Sequence, residues 1–439
     1  MQFENDILSI FMTIVGAVTG ILILVEIYLH FAKGRRYYRY VDVITNVQTA
    51  VLYNVLGIVA LGVIYWCYQF VADNFSIMQQ DINSPWAWIG GFILADFCHY
   101  WFHRTSHQNN FLWGIHQGHH TSEDFNFSTA VRKGIFQQWV DWPFFIPMAI
   151  LGFPFFTMFL PLKGLQFAYQ FWLHNKFIPK LPWIDWLLVT PSVHRAHHGQ
   201  NPQYIDKNHA GVFIIWDKLF GTYAEEGEEV VYGTTESVDS FNPIGIQFVW
   251  YKNLWNDFKN TKRWRDKLAI FYKETGWRPA DVADQPRANH IEDIKTYNRF
   301  DIPVPGTLKA YVFIQVIFLF MVFGASGGNN PNQDAQFTEA SLFSFSDPLQ
   351  VFGLVYILLT CFSMGALINR TRYSRILEFV RLGTLFAFGL FAETTTYFGT
   401  PTMVHAGLLM IILSTVAFSA IALGQKQAWQ MSISNPAMQ

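Results

Sequence analysis

Apolar stretches of roughly 20 residues, the length a helix needs to cross a hydrocarbon core, recur near 7–31, 48–72, 86–103, 308–324, 349–368, 378–398 and 402–424. Inside hydrocarbon every backbone N–H and C=O must be satisfied within the protein, so such stretches fold as helices. A chain of 439 residues would ordinarily suggest two or three domains, but 51% hydrophobic and 18% aromatic against 14% charged residues is far from a soluble composition. The expected class is all-α, a polytopic integral membrane protein.

One further apolar segment, 136 to 175, is interrupted by Pro143, Pro147, Pro154 and Pro161, which predicts a helical hairpin that either spans or re-enters. The chain opens with Glu4 and Asp6 instead of a basic region, and its first apolar run is too long for a signal-peptide core, so the first span is expected to stay. Lys33, Arg35, Arg36 and Arg39 follow that span, and Arg370, Arg372 and Arg375 follow the seventh in a nine-span count; the positive-inside rule makes both loops cytoplasmic. Counting from that anchor brings His103, His107 and His174 to the cytoplasmic face, and leaves the 327–347 stretch, which has no Lys or Arg, on the other. The membrane would be the inner membrane of a bacterium or the endoplasmic reticulum of a eukaryote.

Against this apolar background the polar exception is histidine. Eleven of 14 histidines lie between His99 and His209, and eight of them form three clusters: His103/His107, His116/His119/His120 and His194/His197/His198. Helical i, i+3, i+4 spacing would put each cluster on one face, able to grip a metal from one side. Imidazole suits zinc, copper, nickel and iron alike, and eight or more ligands are too many for one ion, so a di-metal site at the cytoplasmic face is the simplest reading. Burying so many neutral imidazoles together would be unfavourable without a metal. His174, at the end of the hairpin, joins them by position. His99 and His209 stay open between ligand and structural roles, whereas His30, His290 and His405 have no partners and read as structural.

Asp96, an ionisable group at membrane depth seven residues before His103, is a candidate to accept the outer ring N–H of a ligand histidine. Glu123, Asp124 and Asn126, just after the second cluster, are candidates for the same role or for direct coordination, with helix capping as the alternative. Cys67, Cys98 and Cys361 lie in apolar runs without ligand or disulfide spacing and read as packing residues in a reducing setting. Residues 251–275 mix lysines and arginine with Trp255, Phe258, Trp264 and Phe271, fitting a helix either in the membrane interface or packed on the polar domain. Four regions follow: membrane helices at 1–85, a histidine-rich core at 86–235, a polar or interfacial segment at 236–305 and C-terminal membrane helices at 306–439. The net charge of −2 and the absence of basic tracts or phosphate loops give no support to a nucleic-acid partner.

A site of nearly pure imidazole keeps more positive charge than carboxylate-rich di-iron centres, which should raise an iron reduction potential and call for a strong reductant. Such a centre could oxidise an unactivated C–H bond, the reaction an apolar lipid chain requires. HRTSH, HQGHH and HRAHH resemble the histidine boxes of the fatty acid hydroxylase superfamily of membrane di-iron oxygenases. The longer strings ADFCHYWFHRTSH, HHTSEDFNFSTAVRK, QFWLHN, TPSVHRAHHGQN and IDKNHAGVFIIWDKLFGTY are similar to its alkylglycerol monooxygenase branch, densely from about 90 to 235.

The resemblance implies two iron ions held by His103, His107, His116, His119, His120, His174, His194, His197 and His198, with O2 and a membrane lipid as substrates and tetrahydrobiopterin as electron donor. It also implies hydroxylation of the carbon beside the ether oxygen of an alkylglycerol, releasing a fatty aldehyde. Gln108 departs from the glutamate expected there, and His99 and His209 from tyrosines. The alternatives are a sterol or other lipid hydroxylase or desaturase of the same superfamily, and a histidine-rich metal transporter. The C-terminal helices could form a homodimer surface.

Overall fold

The computed structural model describes residues 2–285, 287, 289–326, 342–394 and 417. Helices dominate it, and among the described residues no β-strand forms, only isolated bridges such as Gly199 with Tyr232. Helix α1 (Gln2–Ala32) leads through a short basic linker to α2 (Tyr40–Phe75), then α3 (Pro85–Gln108) and α4 (Asn110–His120). The C-terminal region adds Gly306–Ser326, Pro348–Ile368 and Ser374–Thr394.

Three described helices are long and apolar enough to cross a membrane, Tyr40–Phe75, Gly306–Phe323 and Pro348–Ile368. The expected span at 86–103 falls in α3, whose apolar run is interrupted by Asp96, and is not among those three; the one expected at 378–398 runs past the described residues after 394. The expected span over 402–424 lies outside the described residues apart from position 417. The 136–175 segment is bent between two apolar halves, as its prolines predicted. Gln137–Ile150 and Phe155–Phe171 meet at 111°, a shape that fits re-entry or one broken span.

The elbow of that bend is Gly152, at φ 73°, where a Cβ would stand 1.9 Å from Met78 O. Only glycine fits so close an approach in that conformation. Backbone bonds from Ile77 N to Ile150 O (2.9 Å) and Gln80 N to Gly152 O (3.1 Å), with Tyr68 Oη donating to Phe153 O (2.7 Å), tie the elbow to the far end of α2. Around it Ile64, Tyr68, Cys98, Phe145, Met148, Phe155, Met158 and Phe159 form one buried cluster between α2, α3 and the bent pair. A second cluster, Val51, Leu52, Leu319, Ile357 and Cys361, joins α2 to the C-terminal helices. Cys67, Cys98 and Cys361 are unpaired, as their spacing suggested.

The C-terminal helices share a buried polar lock: Arg381 pairs with Glu378 and donates to Tyr356 Oη (2.7 Å), Ser363 donates to Glu378 (2.7 Å), and Tyr311 donates to the same carboxylate. At the opposite pole from the elbow, Tyr40 Oη donates to Lys309 O (2.5 Å), Phe241 N to Asn369 Oδ1 (3.1 Å) and Arg370 to Pro303 O (2.5 Å). The start of α2, the start of Gly306–Ser326 and the end of Pro348–Ile368 therefore meet the polar loops on one side. The single helix expected over 251–275 is instead two, Val249–Asn260 and Trp264–Tyr272, because Asp281 accepts from Thr261 Oγ1 and Lys262 N at the break. Both pack on α4, with Trp250 Nε1 donating to Asn110 O (2.8 Å), while Trp255 and Trp264 remain exposed.

The join between α2 and the polar region is a buried ion pair, Arg132 Nη1 to Asp42 Oδ1 at 3.1 Å, with further Arg132 bonds to Asn46, Thr121 and Gly118 O. Removing one partner of such a pair strands the other charge. Arg132→Met is expected to lower stability by roughly 3–5 kcal/mol, read as a fall in the unfolding midpoint of the detergent-solubilised protein; a midpoint unchanged from wild type would contradict this account.

Candidate metal centre

α3 ends in His103 and His107, one turn apart on one face, and Asn109 breaks the chain into extended backbone before capping α4 through Phe111 N and Leu112 N (both 3.0 Å). α4 carries His116, His119 and His120 in its final turns. His174 follows the Leu160–Phe171 helix, and Pro191 starts the short Pro191–His197 helix that carries His194 and His197, with His198 at its end.

The nine histidines converge in two groups: His103, His107, His116, His120 and His197, and His119, His174, His194 and His198. Within each group one ring nitrogen per residue lies within 4.8 Å of all the others, as donors to a shared ion must. The clusters do not map one to each ion, contrary to the sequence expectation. His116 and His120 serve the first group while the intervening His119 serves the second, and His197 serves the first while His194 and His198 serve the second. Neighbouring helical residues point about 100° apart, so a His-His pair straddles two sites.

The outer ring nitrogens show how each imidazole is held. His103 Nδ1 meets His209 O at 2.7 Å, His119 Nδ1 meets Arg132 O at 2.6 Å, His174 Nδ1 meets Gln170 O at 3.1 Å and His197 Nδ1 meets Lys207 O at 2.8 Å. His116 Nδ1 meets Gln137 Oε1 at 3.2 Å. A carbonyl oxygen only accepts, so these contacts assign the ring proton to Nδ1 and leave Nε2 a bare acceptor. His103 Nε2 and His116 Nε2 then face each other at 3.0 Å as two lone pairs, and the buried Nε2 atoms of His107 and His197 have no partner. Neutral imidazoles would repel in this arrangement. A cation between them turns every one of these contacts favourable, so the donor set fits a metal, and the carbonyls supply the outer support that ligand histidines ordinarily have.

Electrostatics agree. Burial first, and then neighbouring rings or Lys133, hold His119, His120, His194 and His198 well below the ordinary imidazole value, and burial holds His197 down to about 4. The rings stay neutral and ready to bind at any physiological pH.

The acidic candidates do different work. Asp96 touches no histidine; its carboxylate accepts from Val212 N and Phe213 N (both 2.9 Å), Trp216 Nε1 (3.0 Å) and Gln166 Nε2 (2.8 Å), clamping the loop after His209. Glu123 accepts from Phe300 N (2.8 Å) and Tyr297, Asp124 pairs with Arg39 (2.6 Å) and Arg299 (2.8 Å), and Asn126 caps the next helical turn at Ser128 N (2.9 Å). All three secure the polar loops to the head of α2 and stand off the metal groups. His99 lies against Gln170 (3.3 Å) outside both groups, and His209 is fully buried with neither ring nitrogen bonded. His30 accepts from Tyr37 N (3.1 Å), a structural role, and His290 is exposed.

Supporting residues outside the histidine boxes emerge only from the fold. Asp217 accepts from His209 N (2.8 Å), Ala210 N (2.9 Å) and Thr222 Oγ1 (2.7 Å), which fixes the carbonyl that holds His103. Gly134 lets the loop carrying Arg132 O cross α4, where a Cβ would stand 1.8 Å from Ile115 O. Lys133 is buried over the Phe167 ring (5.2 Å), and burial pushes its ammonium down to about 8. No pattern in the sequence marks these residues, because each acts through contacts that only the folded chain creates.

Residues 88–222 match the family model described as fatty acid hydroxylase. The chain is 33% identical over 353 residues to the alkylglycerol monooxygenase of Homo sapiens, covering 80% of this chain and 75% of that one. It is 32% identical over 411 residues to that of Danio rerio, covering 92% and 87%. An ornithine lipid hydroxylase of Rhizobium tropici is 27% identical over 30% of this chain and 40% of its own. No solved structure matches.

Two outcomes are expected. Gln137→Leu removes the acceptor of His116 Nδ1–H and should weaken metal affinity roughly 10–100-fold in chelator competition, with wild-type affinity as the contrary result. Metal-stripped protein should be acid-labile. The folded rings bind protons only well below the unfolded value of about 6.5, so the unfolded chain takes up more protons and stability, full above that pH, falls as pH drops through it. A thermal midpoint flat between pH 7 and pH 5.5 would be inconsistent with buried neutral rings.

Proposed function

Because this chain belongs to the alkylglycerol monooxygenase family, a group of membrane lipid monooxygenases, we propose that it cleaves alkylglycerol ether lipids at a pair of irons held by the nine grouped histidines. The observation that carries this reading is the convergence of nine buried imidazoles into two donor groups in a chain so similar to those relatives along most of its length. When bound, the irons would supply the activation of dioxygen needed to hydroxylate the carbon beside the ether oxygen. The resulting hemiacetal splits into a fatty aldehyde and the glycerol-bearing product. We take tetrahydrobiopterin as the electron donor.

The chain's own residues would act by placement. Carbonyls of His209, Arg132, Gln170 and Lys207 and the Gln137 amide hold five rings with Nε2 inward, so the donors need no reorganisation when the ions bind. The surrounding burial keeps the rings neutral. Apolar helices beneath would keep the alkyl chain in hydrocarbon while its ether end reaches the centre. We place that centre on the cytoplasmic side, on the strength of the basic residues Lys33, Arg35, Arg36 and Arg370 at the same pole. The catalytic core is taken as 86–235, between membrane helices at 1–85 and 306–439, with 236–305 as its polar cover.

A second reading, hydroxylation of a different lipid by the same centre, draws on Gln108, which is exposed and bonded to Arg104 (3.1 Å), and on His99 and His209. Metal transport has no counterpart in the family. Membranes holding the protein, given an alkylglycerol, oxygen and tetrahydrobiopterin, should release fatty aldehyde; absence of aldehyde with full iron content would favour the second reading. His119→Ala should lose iron and activity together, and retention of both would overturn the ligand assignment.

A further inference from the structure

Beside the histidine groups lies a cavity of about 750 Å3, within the range that holds one small organic molecule. Its floor includes His107, His120, His197 and His198, and none of its lining residues comes from a candidate membrane span or from the bent pair. Its walls include the polar stretches 205–206, 233–236 and 283–285. On the proposed function such a cavity would serve a water-soluble ligand, with the lipid coming from the side of the apolar helices.

Two buried polar atoms on those walls have no partner. Gln200 spends its amide Nε2 on Tyr232 O (3.2 Å), which aims Oε1 as a bare acceptor, and the residue is 4% exposed. Arg287 is held by Glu236 and by Asp257 (2.9 Å) through its two terminal nitrogens, leaving Nε–H an unspent donor. Leaving such atoms buried and unpaired costs about 1–3 kcal/mol each unless a ligand meets them. Trp113 also lines the cavity, its ring 5.0 Å from that of His107 and 5.4 Å from that of His120, a flat apolar face for a planar molecule.

The proposed reaction must fill such a site. Monooxygenation puts one atom of O2 into the C–H bond and releases the other as water, which consumes two electrons and two protons from a donor that leaves oxidised. Resting on the proposed function, we infer that this cavity binds that donor, a planar reduced nitrogen heterocycle whose ring N–H or amino group donates to Gln200 Oε1 and whose carbonyl accepts from Arg287 Nε–H. The lipid and the reductant thereby reach the irons from opposite sides.

The test is binding without turnover. Iron-loaded protein in detergent is titrated anaerobically with 6-methyltetrahydropterin and, separately, with 1-O-hexadecylglycerol, following tryptophan fluorescence. Gln200→Leu should raise the Kd for the pterin about tenfold, the scale of one hydrogen bond, with iron content and hexadecylglycerol binding unchanged. Unchanged pterin affinity in Gln200→Leu overturns the inference, as does wild-type protein that binds no pterin. Weakened hexadecylglycerol binding with intact pterin binding also overturns it, assigning the cavity to the lipid head group. Loss of iron in Gln200→Leu would mark the residue as structural and overturn it too. Pterin binding that behaves as expected beside a failed aldehyde assay would place the error in the lipid substrate instead.

Discussion

The candidate centre depends on fixing the proton of five buried imidazoles to the outer nitrogen. A histidine ring has two faces for bonding, and whichever nitrogen is engaged by a carbonyl surrenders the other as a bare lone pair. Five rings here are committed in that way, four of them by backbone oxygens. A cation among them would relieve the inward repulsion that results, so metal affinity is built into the course of the main chain as much as into the histidines.

That places a heavy demand on the segments that present the carbonyls. Arg132 O is delivered by a loop held through a buried guanidinium to α2 and α4, and passes α4 only because residue 134 is glycine. His209 O is delivered by a turn whose N–H groups are gathered by Asp217, while Asp96 gathers the next ones. Two buried carboxylates thus serve the centre by holding backbone in place, without binding a ring. The elbow at Gly152 plays the corresponding part for His174, turning the chain back to the side where the other rings wait.

Much of this was legible in the residues themselves. Helical class followed from the apolar runs, and the grouped histidines follow from spacing that only a helix makes meaningful, with His174 added by where its hairpin had to return. What could not be read were relations across long sequence distances. Asp96 looked like a partner for histidine because it shares a helix face with His103, yet the loop 212–216 closes over it first. Glu123, Asp124 and Asn126 looked close because they follow His120, but the chain turns away and gives them to Arg39, Arg299 and a helix cap. The break of the 251–275 helix at Asp281 is likewise a contact no local pattern announces.

The straddling of His119 and His120, and of His197 and His198, ties the two metal positions to common pieces of backbone. A twist of α4 that improves one set of bond angles spoils the other, so neither position can drift on its own. Losing the rings of either helix would therefore strip donors from both groups at once, so neither group can be dismantled by itself.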